Sequence, residues 1–211
     1  MMSPLRCALH RIRDTSVSAT LPSIESLKAE LRAAAQALRD ALPAEERKAA
    51  AEAIAARAFP LALAPGVIVS GFMPLKSEIN PLPLLQKLAE AGARLALPAI
   101  AGRGRPLTMR AWQFGAPLTR GQWGIREPTA DAPEAEPDIL LVPLLAFDRA
   151  GFRIGYGAGY YDMTIRRLRG LKAVTAVGIA FAAQEVPKIP ATERDERLDL
   201  VLTEREAIDL R

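Results

Sequence analysis

Cysteine and histidine are almost missing from this 211-residue chain, which has only Cys7 and His10, both near its start. One cysteine closes no internal disulfide, and one Cys with one His builds no structural metal site. A reducing cytoplasm is therefore the expected compartment. A lone terminal histidine also excludes Ser-His-Asp and Cys-His nucleophile sets. Aromatic residues make up only 5% of the chain, and no long basic run accompanies them. Lys and Arg outnumber Asp and Glu by 28 to 24, a net charge of +4. Half of that surplus lies in residues 1–22, where Arg6, Arg11 and Arg13 face Asp14 alone. The remaining body is nearly balanced, so nucleic-acid binding is not expected. The longest uncharged stretch, residues 58–75, is broken by Pro60, Pro65, Gly66, Gly71 and Pro74. It reads as loop, strand and loop rather than a membrane span.

What is present is an ordinary globular composition, 50% hydrophobic and 25% charged. The length suits one well-cored domain. Residues 1–22 read as a disordered extension, faintly like a transit peptide or an early start, and residues 23–211 as a single domain. Ser23 is placed to cap a helix whose apolar positions are Ile24, Leu27, Leu31, Ala34 and Leu38. Pro43 starts a second helix reaching about Phe59, with Glu45 and Glu46 in its first turn. Strands are expected over residues 67–72, 94–97, 107–114, 138–142, 172–181 and 198–202. Helices are expected after Asn80-Pro81 and over residues 160–168, and Thr203 is expected to cap a last short helix. Residues 115–137 and 148–159 read as loop. This alternation of apolar strands and helices implies an α/β fold: a three-layer α/β/α sandwich around a mainly parallel sheet.

Four segments carry residue types suited to chemistry. The most informative runs from Val142 to Asp162 and holds Gly151, Gly155, Gly157 and Gly159 in nine residues between a strand and a helix. Such glycines let the backbone approach a ligand and point successive N–H groups at an anion. A following helix adds its positive end, Arg153 a planar guanidinium and Asp162 a hard oxygen for magnesium. The spacing fits neither the dinucleotide fingerprint nor a Walker A loop, and the alternative is a flexible loop with two packed tyrosines. A second segment, residues 71–80, puts Glu78 beyond a buried strand, where open α/β sheets bind ligands; the alternative is that Glu78 only complements the next helix. Lys28 and Arg32, four apart on the first helix, could reach one cleft together or be simply solvated. Finally, Asp195 or Asp199 in a charged loop could join Asp162 at a magnesium ion, or that loop could be mere surface.

Taken together these segments resemble the 5-formyltetrahydrofolate cyclo-ligase family, also called methenyltetrahydrofolate synthetase. The family signature is Val-Pro, Ala-Phe-Asp, Gly, then Arg-hydrophobic-Gly-x-Gly-x-Gly-Tyr-Tyr-Asp, and it stands here almost complete over residues 142–162. The likeness extends to Lys28-x-x-x-Arg32, Met73 with Glu78-Ile79, Gly124-Ile125-Arg126-Glu127-Pro128, Val177-Gly178-Ile179-Ala180-Phe181 with Gln184, Asp195 and Leu198-Asp199. It spans roughly residues 24–204. One departure is Met163, where the family often has a basic residue; Arg166 and Arg167 lie a turn further on.

The resemblance implies a sandwich of the ribose-isomerase and CoA-transferase type. It also implies closure of 5-formyltetrahydrofolate to 5,10-methenyltetrahydrofolate as ATP becomes ADP and phosphate, with magnesium. Carried over by position, ATP would be held by Lys28, Arg32, Arg153, Ile154, Gly155, Tyr156, Gly157, Ala158, Gly159, Tyr160 and Tyr161. Folate would meet Met73, Glu78, Trp112, Tyr156, Gly157, Ala158, Gly159 and Tyr160. Asp162 and Asp195 would serve the metal. Arg153 and Lys28 would be the catalytic groups, because phosphoryl transfer needs charge neutralisation and alignment more than a covalent protein group. Neither a nucleic-acid nor a membrane partner is expected. A monomer is expected, with a dimer as the alternative. The competing function is a non-catalytic nucleotide- or folate-binding relative with a regulatory role, against which stands the joint retention of Lys28, Glu78, Arg153 and Asp162.

Overall fold

The computed structural model describes residues 22–211; the extension expected over residues 1–22 falls almost wholly outside them. The first helix, α1 (Ile24–Asp40), begins where the Ser23 hydroxyl accepts the Ser26 N–H at 3.1 Å, a cap worth about 1 kcal/mol. Helix α2 (Ala44–Ala56) follows Pro43. Strand β1 (Ile68–Ser70) leads to helix α3 (Leu82–Glu90), at whose start Asn80 Oδ1 accepts the Leu82 N–H. Then come β2 (Arg94–Ala99), β3 (Thr108–Trp112), β4 (Leu118–Arg120), β5 (Arg126–Pro128), β6 (Ile139–Pro143), β7 (Ala146–Phe147) and β8 (Arg153–Ile154). Helix α4 (Tyr160–Arg169), β9 (Thr175–Ile179), β10 (Leu200–Leu202) and β11 (Ala207–Asp209) complete the order.

Seven strands form one sheet in the order β11-β10-β9-β6-β1-β2-β3. The pairs β10–β9, β9–β6, β6–β1 and β1–β2 are parallel, and only the outer strands β3 and β11 run antiparallel. Alternate strand residues face opposite layers. Val69, Leu95, Leu97, Leu141 and Val177 pack under Ala50, Ile54, Leu84, Leu85 and Leu88 of α2 and α3. Ala96, Leu140, Val142, Ala176 and Val201 pack under Ile165 and Leu168 of α4. This is the expected α/β/α sandwich.

Helix α1 belongs to neither layer. Its Leu31 and Ala35 pack on Leu145, Ala146, Ile154, Val186 and Ile189, just beyond the carboxyl end of β6. Asp148, 2% exposed, ties down that region: its carboxylate accepts the N–H groups of Ala150, Phe152 and Ile189. The aspartate of the Ala-Phe-Asp motif thus shapes the β7–β8 hairpin.

Three expectations are corrected. Thr203 caps no helix; its hydroxyl accepts the Arg205 and Glu206 N–H groups in a turn into β11. Of the two stretches read as loop, residues 115–137 contain the short β4–β5 hairpin and residues 148–159 contain β8, which pairs with β7 just ahead of them. Glycine and proline marked these stretches as irregular, and two- or three-residue strands are too short to raise a periodic signal. Among the described residues no helix is long and apolar enough to cross a membrane.

Candidate active site

Three chain segments leave the carboxyl ends of β1, β6 and β9 and converge, as ligand-binding segments do in open parallel sheets. The first passes Gly71, whose missing side chain is a packing necessity: a Cβ there would lie 2.2 Å from Leu85 Cδ1. Met73, half-buried, rests on the α2–α3 side of the core. Beyond it Lys76 adopts φ +55°, a left-handed conformation that costs an L-residue about 1–2 kcal/mol. This turn delivers Ser77 and Glu78. Burial pushes the Glu78 carboxyl above its ordinary value, against the lowering effects of the Leu75 N–H, the Arg39 charge and the Tyr156 hydroxyl. Its Oε2 accepts the Leu75 N–H at 2.8 Å.

The second segment is the glycine loop between β8 and α4. Gly157 has φ +97°, and a Cβ there would approach the Arg32 guanidinium to 3.2 Å. Both facts call for glycine. Arg32 Nε donates to the Gly155 carbonyl at 2.9 Å, which pins the loop to α1. Arg153, buried, donates to Asp162 Oδ1 at 2.9 Å and to the Glu196 carbonyl at 2.7 Å. Tyr160 and Tyr161 begin α4 and pack against the core on its side of the sheet.

The third segment runs from β9 to β10. Lys28 on α1 reaches both carboxylate oxygens of Asp195, at 2.7 and 2.6 Å. Asp195 also accepts the Thr192 N–H and hydroxyl. Burial works against its ionisation, yet the Lys28 ammonium and the Thr192 donors hold it below the ordinary carboxylate value. The Glu196 N–H donates to Asp162 Oδ1 at 3.1 Å, so the Asp195 backbone adjoins the Asp162 carboxylate. Two cations and two carboxylates thus lie side by side beneath one glycine loop.

A model of the 5-formyltetrahydrofolate cyclo-ligase family matches residues 24–204. The chain belongs to that family. A 5-formyltetrahydrofolate cyclo-ligase of Mycolicibacterium smegmatis is 35% identical over 191 residues, which cover 86% of this chain and 95% of that protein. The Escherichia coli K12 enzyme of the same name is 34% identical over 143 residues, 64% of this chain and 76% of that one. Among solved structures, the 5,10-methenyltetrahydrofolate synthetase of Aquifex aeolicus superposes with a TM-score of 0.72 at 29% identity. It covers 88% of this chain and 93% of its own. The corresponding Mycoplasma pneumoniae structure, at 22% identity and TM-score 0.66, covers 84% and 98% and shares the fold.

In this cyclo-ligase the structure brings together Lys28, Arg32, Arg153, Asp162, Asp195 and residues 154–161 of the loop. Glu78 and Tyr156 meet at its other end. Asp199 stands apart, accepting from Arg169 and from the Ala176 N–H beside the sheet. Of the two arginines following Met163, Arg166 is drawn to Glu196 and Arg167 to Glu136. Trp112 is 8% exposed inside the core, its ring 4.7 Å from that of Phe114.

Two residues the sequence did not single out stand at this site. Trp123 is 64% exposed, adopts φ +57°, and its ring lies 5.9 Å from that of Tyr160. Lys76 and Trp123 are the only non-glycine residues with positive φ among those described, and both flank the loop cluster, where strained backbone tends to gather. Arg39, fully buried, is the other. A tryptophan beside Gly124 carried a faint cue; an arginine in the last turn of a helix carried none.

Proposed function

We propose that this cyclo-ligase converts 5-formyltetrahydrofolate to 5,10-methenyltetrahydrofolate with ATP consumed to ADP and phosphate. The observation that carries this reading is the doubled ion pair, Lys28 with Asp195 and Arg153 with Asp162, beside a glycine loop whose Tyr156 approaches Glu78. Amides, cations and carboxylates at one end suit a triphosphate with its metal. A buried acceptor and aromatic rings at the other suit a pterin.

The formyl oxygen attacks the γ-phosphorus, and ADP departs with the bond's electron pair. N10 then attacks the activated carbon and gives up its proton, and the C–O bond breaks, so the formyl oxygen leaves in inorganic phosphate. Lys28 and Arg153 neutralise the phosphoryl oxygens, which is the main demand of such a transfer. Arg32 and the loop amides from Ile154 to Tyr161 hold the nucleotide in line. Glu78 accepts hydrogen bonds from the pterin N–H edge, Met73 and Tyr156 line its flank, and Trp123 over Tyr160 supplies an aromatic wall.

Asp162 and Asp195 fit magnesium, which takes one or two carboxylates together with phosphate oxygens and water. Bound there, the ion would add positive charge at the transferring phosphoryl group. Incubation with 5-formyltetrahydrofolate, ATP and magnesium should raise the methenyl chromophore's absorbance. A chain that binds both ligands without that gain would be the regulatory relative instead.

A further inference from the structure

Arg39 has no exposed surface, and burying a guanidinium costs several kcal/mol unless its donors are met. They are met here by groups of the site itself. Nε donates to Ser77 Oγ at 3.1 Å and Nη1 to the Leu144 carbonyl at 3.2 Å, while Nη2 is held by the Tyr156 hydroxyl. Ser77 in turn donates to Asp40, the neighbour of Arg39. The guanidinium also lies 5.6 Å from the centre of the Tyr156 ring. A guanidinium has no acceptor. The Tyr156 oxygen therefore accepts from Arg39, which leaves its own proton for another acceptor, and the Glu78 carboxylate lies near enough to act on it electrostatically.

The inner face of α1 carries Lys28, Leu31, Ala35 and Arg39. The two cations lie eleven positions apart along the helix, roughly 16 Å at 1.5 Å per residue. One rigid element thus touches the phosphate end through Lys28 and the pterin end through Arg39. An aliphatic residue would fill the same space without the desolvation cost, so packing alone does not account for a buried charge.

We propose that Arg39 is a positioning residue for the folate end: it fixes Tyr156 as a donor to Glu78 and holds the residue 73–80 segment and the glycine loop at one spacing. This rests on the reading of Glu78 as the pterin anchor. The charged and titratable groups facing Glu78 are Arg39 from α1, Tyr156 from the loop and Tyr161 from α4, and Asp40 of α1 acts on Tyr156. Only Arg39 among them is cationic, so its loss makes Glu78 easier to protonate.

The test uses the full chain as wild type, Arg39→Met, Arg39→Lys and Tyr156→Phe. Calorimetry measures binding of 5-formyltetrahydrofolate and, separately, of ATP with magnesium. Arg39→Met should weaken folate binding by about tenfold or more, the loss expected for disturbing a hydrogen bond to a charged group, and weaken ATP binding by clearly less. Arg39→Lys should recover much of it. The pH at which folate binding fails on the acid side should rise in Arg39→Met and in Tyr156→Phe. Unchanged folate affinity, or parallel loss of both ligands with an unmoved acid limb, would overturn the proposal. If Arg39→Met does not fold, Tyr156→Phe decides: wild-type affinity and acid limb would refute it. A wild type that binds no 5-formyltetrahydrofolate refutes the pterin role of Glu78 instead. Amide exchange of the free protein then judges Arg39, with Arg39→Lys standing in if Arg39→Met is unfolded. Faster exchange confined to residues 73–80 and 152–160 is expected, and exchange unchanged there would overturn the assignment.

Discussion

Lys28 and Asp195 stand 167 positions apart in the chain and meet through both carboxylate oxygens. The pair neutralises in advance two groups that the proposed reaction needs separately, the ammonium for phosphate and the carboxylate for magnesium. Arg153 and Asp162 repeat the arrangement alongside, joined to it by the Glu196 N–H on Asp162. Substrate entry then becomes an exchange of partners, in which phosphate takes the cations and the metal takes the carboxylates.

That exchange makes Lys28→Met informative in two ways. It should lower kcat/KM for ATP by roughly 10- to 100-fold, the range for losing a hydrogen bond to a charged group. It also frees Asp195, so magnesium alone should raise the thermal midpoint of Lys28→Met more than that of the wild type. Equal responses in a thermal-shift titration would argue against the exchange.

Asp195 gives the ion pair a pH signature. Its carboxyl is held below its ordinary value of 3.8, so the stability it contributes is complete above that value and lost as pH falls through the lower folded value. Asp195→Asn should therefore flatten part of the acid limb of thermal stability. Melting curves across the acid range would reveal it, and superimposable wild-type and variant slopes would refute it.

Neither ion pair was legible in the sequence as a contact. Lys28-x-x-x-Arg32 and the glycine loop were visible through spacing and composition, and the alternation of strands and helices was enough for the sandwich. The pairing of Lys28 with Asp195 rather than Asp199 was not, because both aspartates follow the same charged loop. The fold separates them: Asp199 accepts the Ala176 N–H at the start of the interior strand β9, whereas Asp195 turns towards α1. Arg39 was hidden for a different reason. A helical arginine is normally solvated, and only the approach of Ser77 and Tyr156 from distant segments encloses it.

Trp123 tests the assignment of the aromatic wall. Its exposed ring contributes little to the core, so Trp123→Ala should leave thermal stability nearly unchanged. It should raise KM for 5-formyltetrahydrofolate by roughly 2- to 12-fold, the worth of one aromatic contact of about 0.5–1.5 kcal/mol. Trp112→Ala should do the opposite, costing about 3–5 kcal/mol of stability as a buried large-to-small change. Paired kinetics and denaturant titrations of the two variants would separate the roles, and a folate defect confined to Trp112→Ala would reverse them.

Glu78 sets stability against function. Burial raises its carboxyl above the ordinary value of 4.5. Its ionised form is thus disfavoured in the folded chain, and the associated stability is present below that value and lost as pH rises through the folded one. Above the folded value the free enzyme therefore holds a charge at a cost. Glu78→Gln removes that cost while keeping an oxygen for the Leu75 N–H, so its thermal midpoint at neutral pH should exceed that of the wild type. The same change loses the charged acceptor for the pterin and should lower kcat/KM for 5-formyltetrahydrofolate by about tenfold or more. Arg153→Ala should differ in kind, damaging ATP use first. A Glu78→Gln protein that melts lower at neutral pH yet binds folate normally would contradict both the raised carboxyl and its role as anchor.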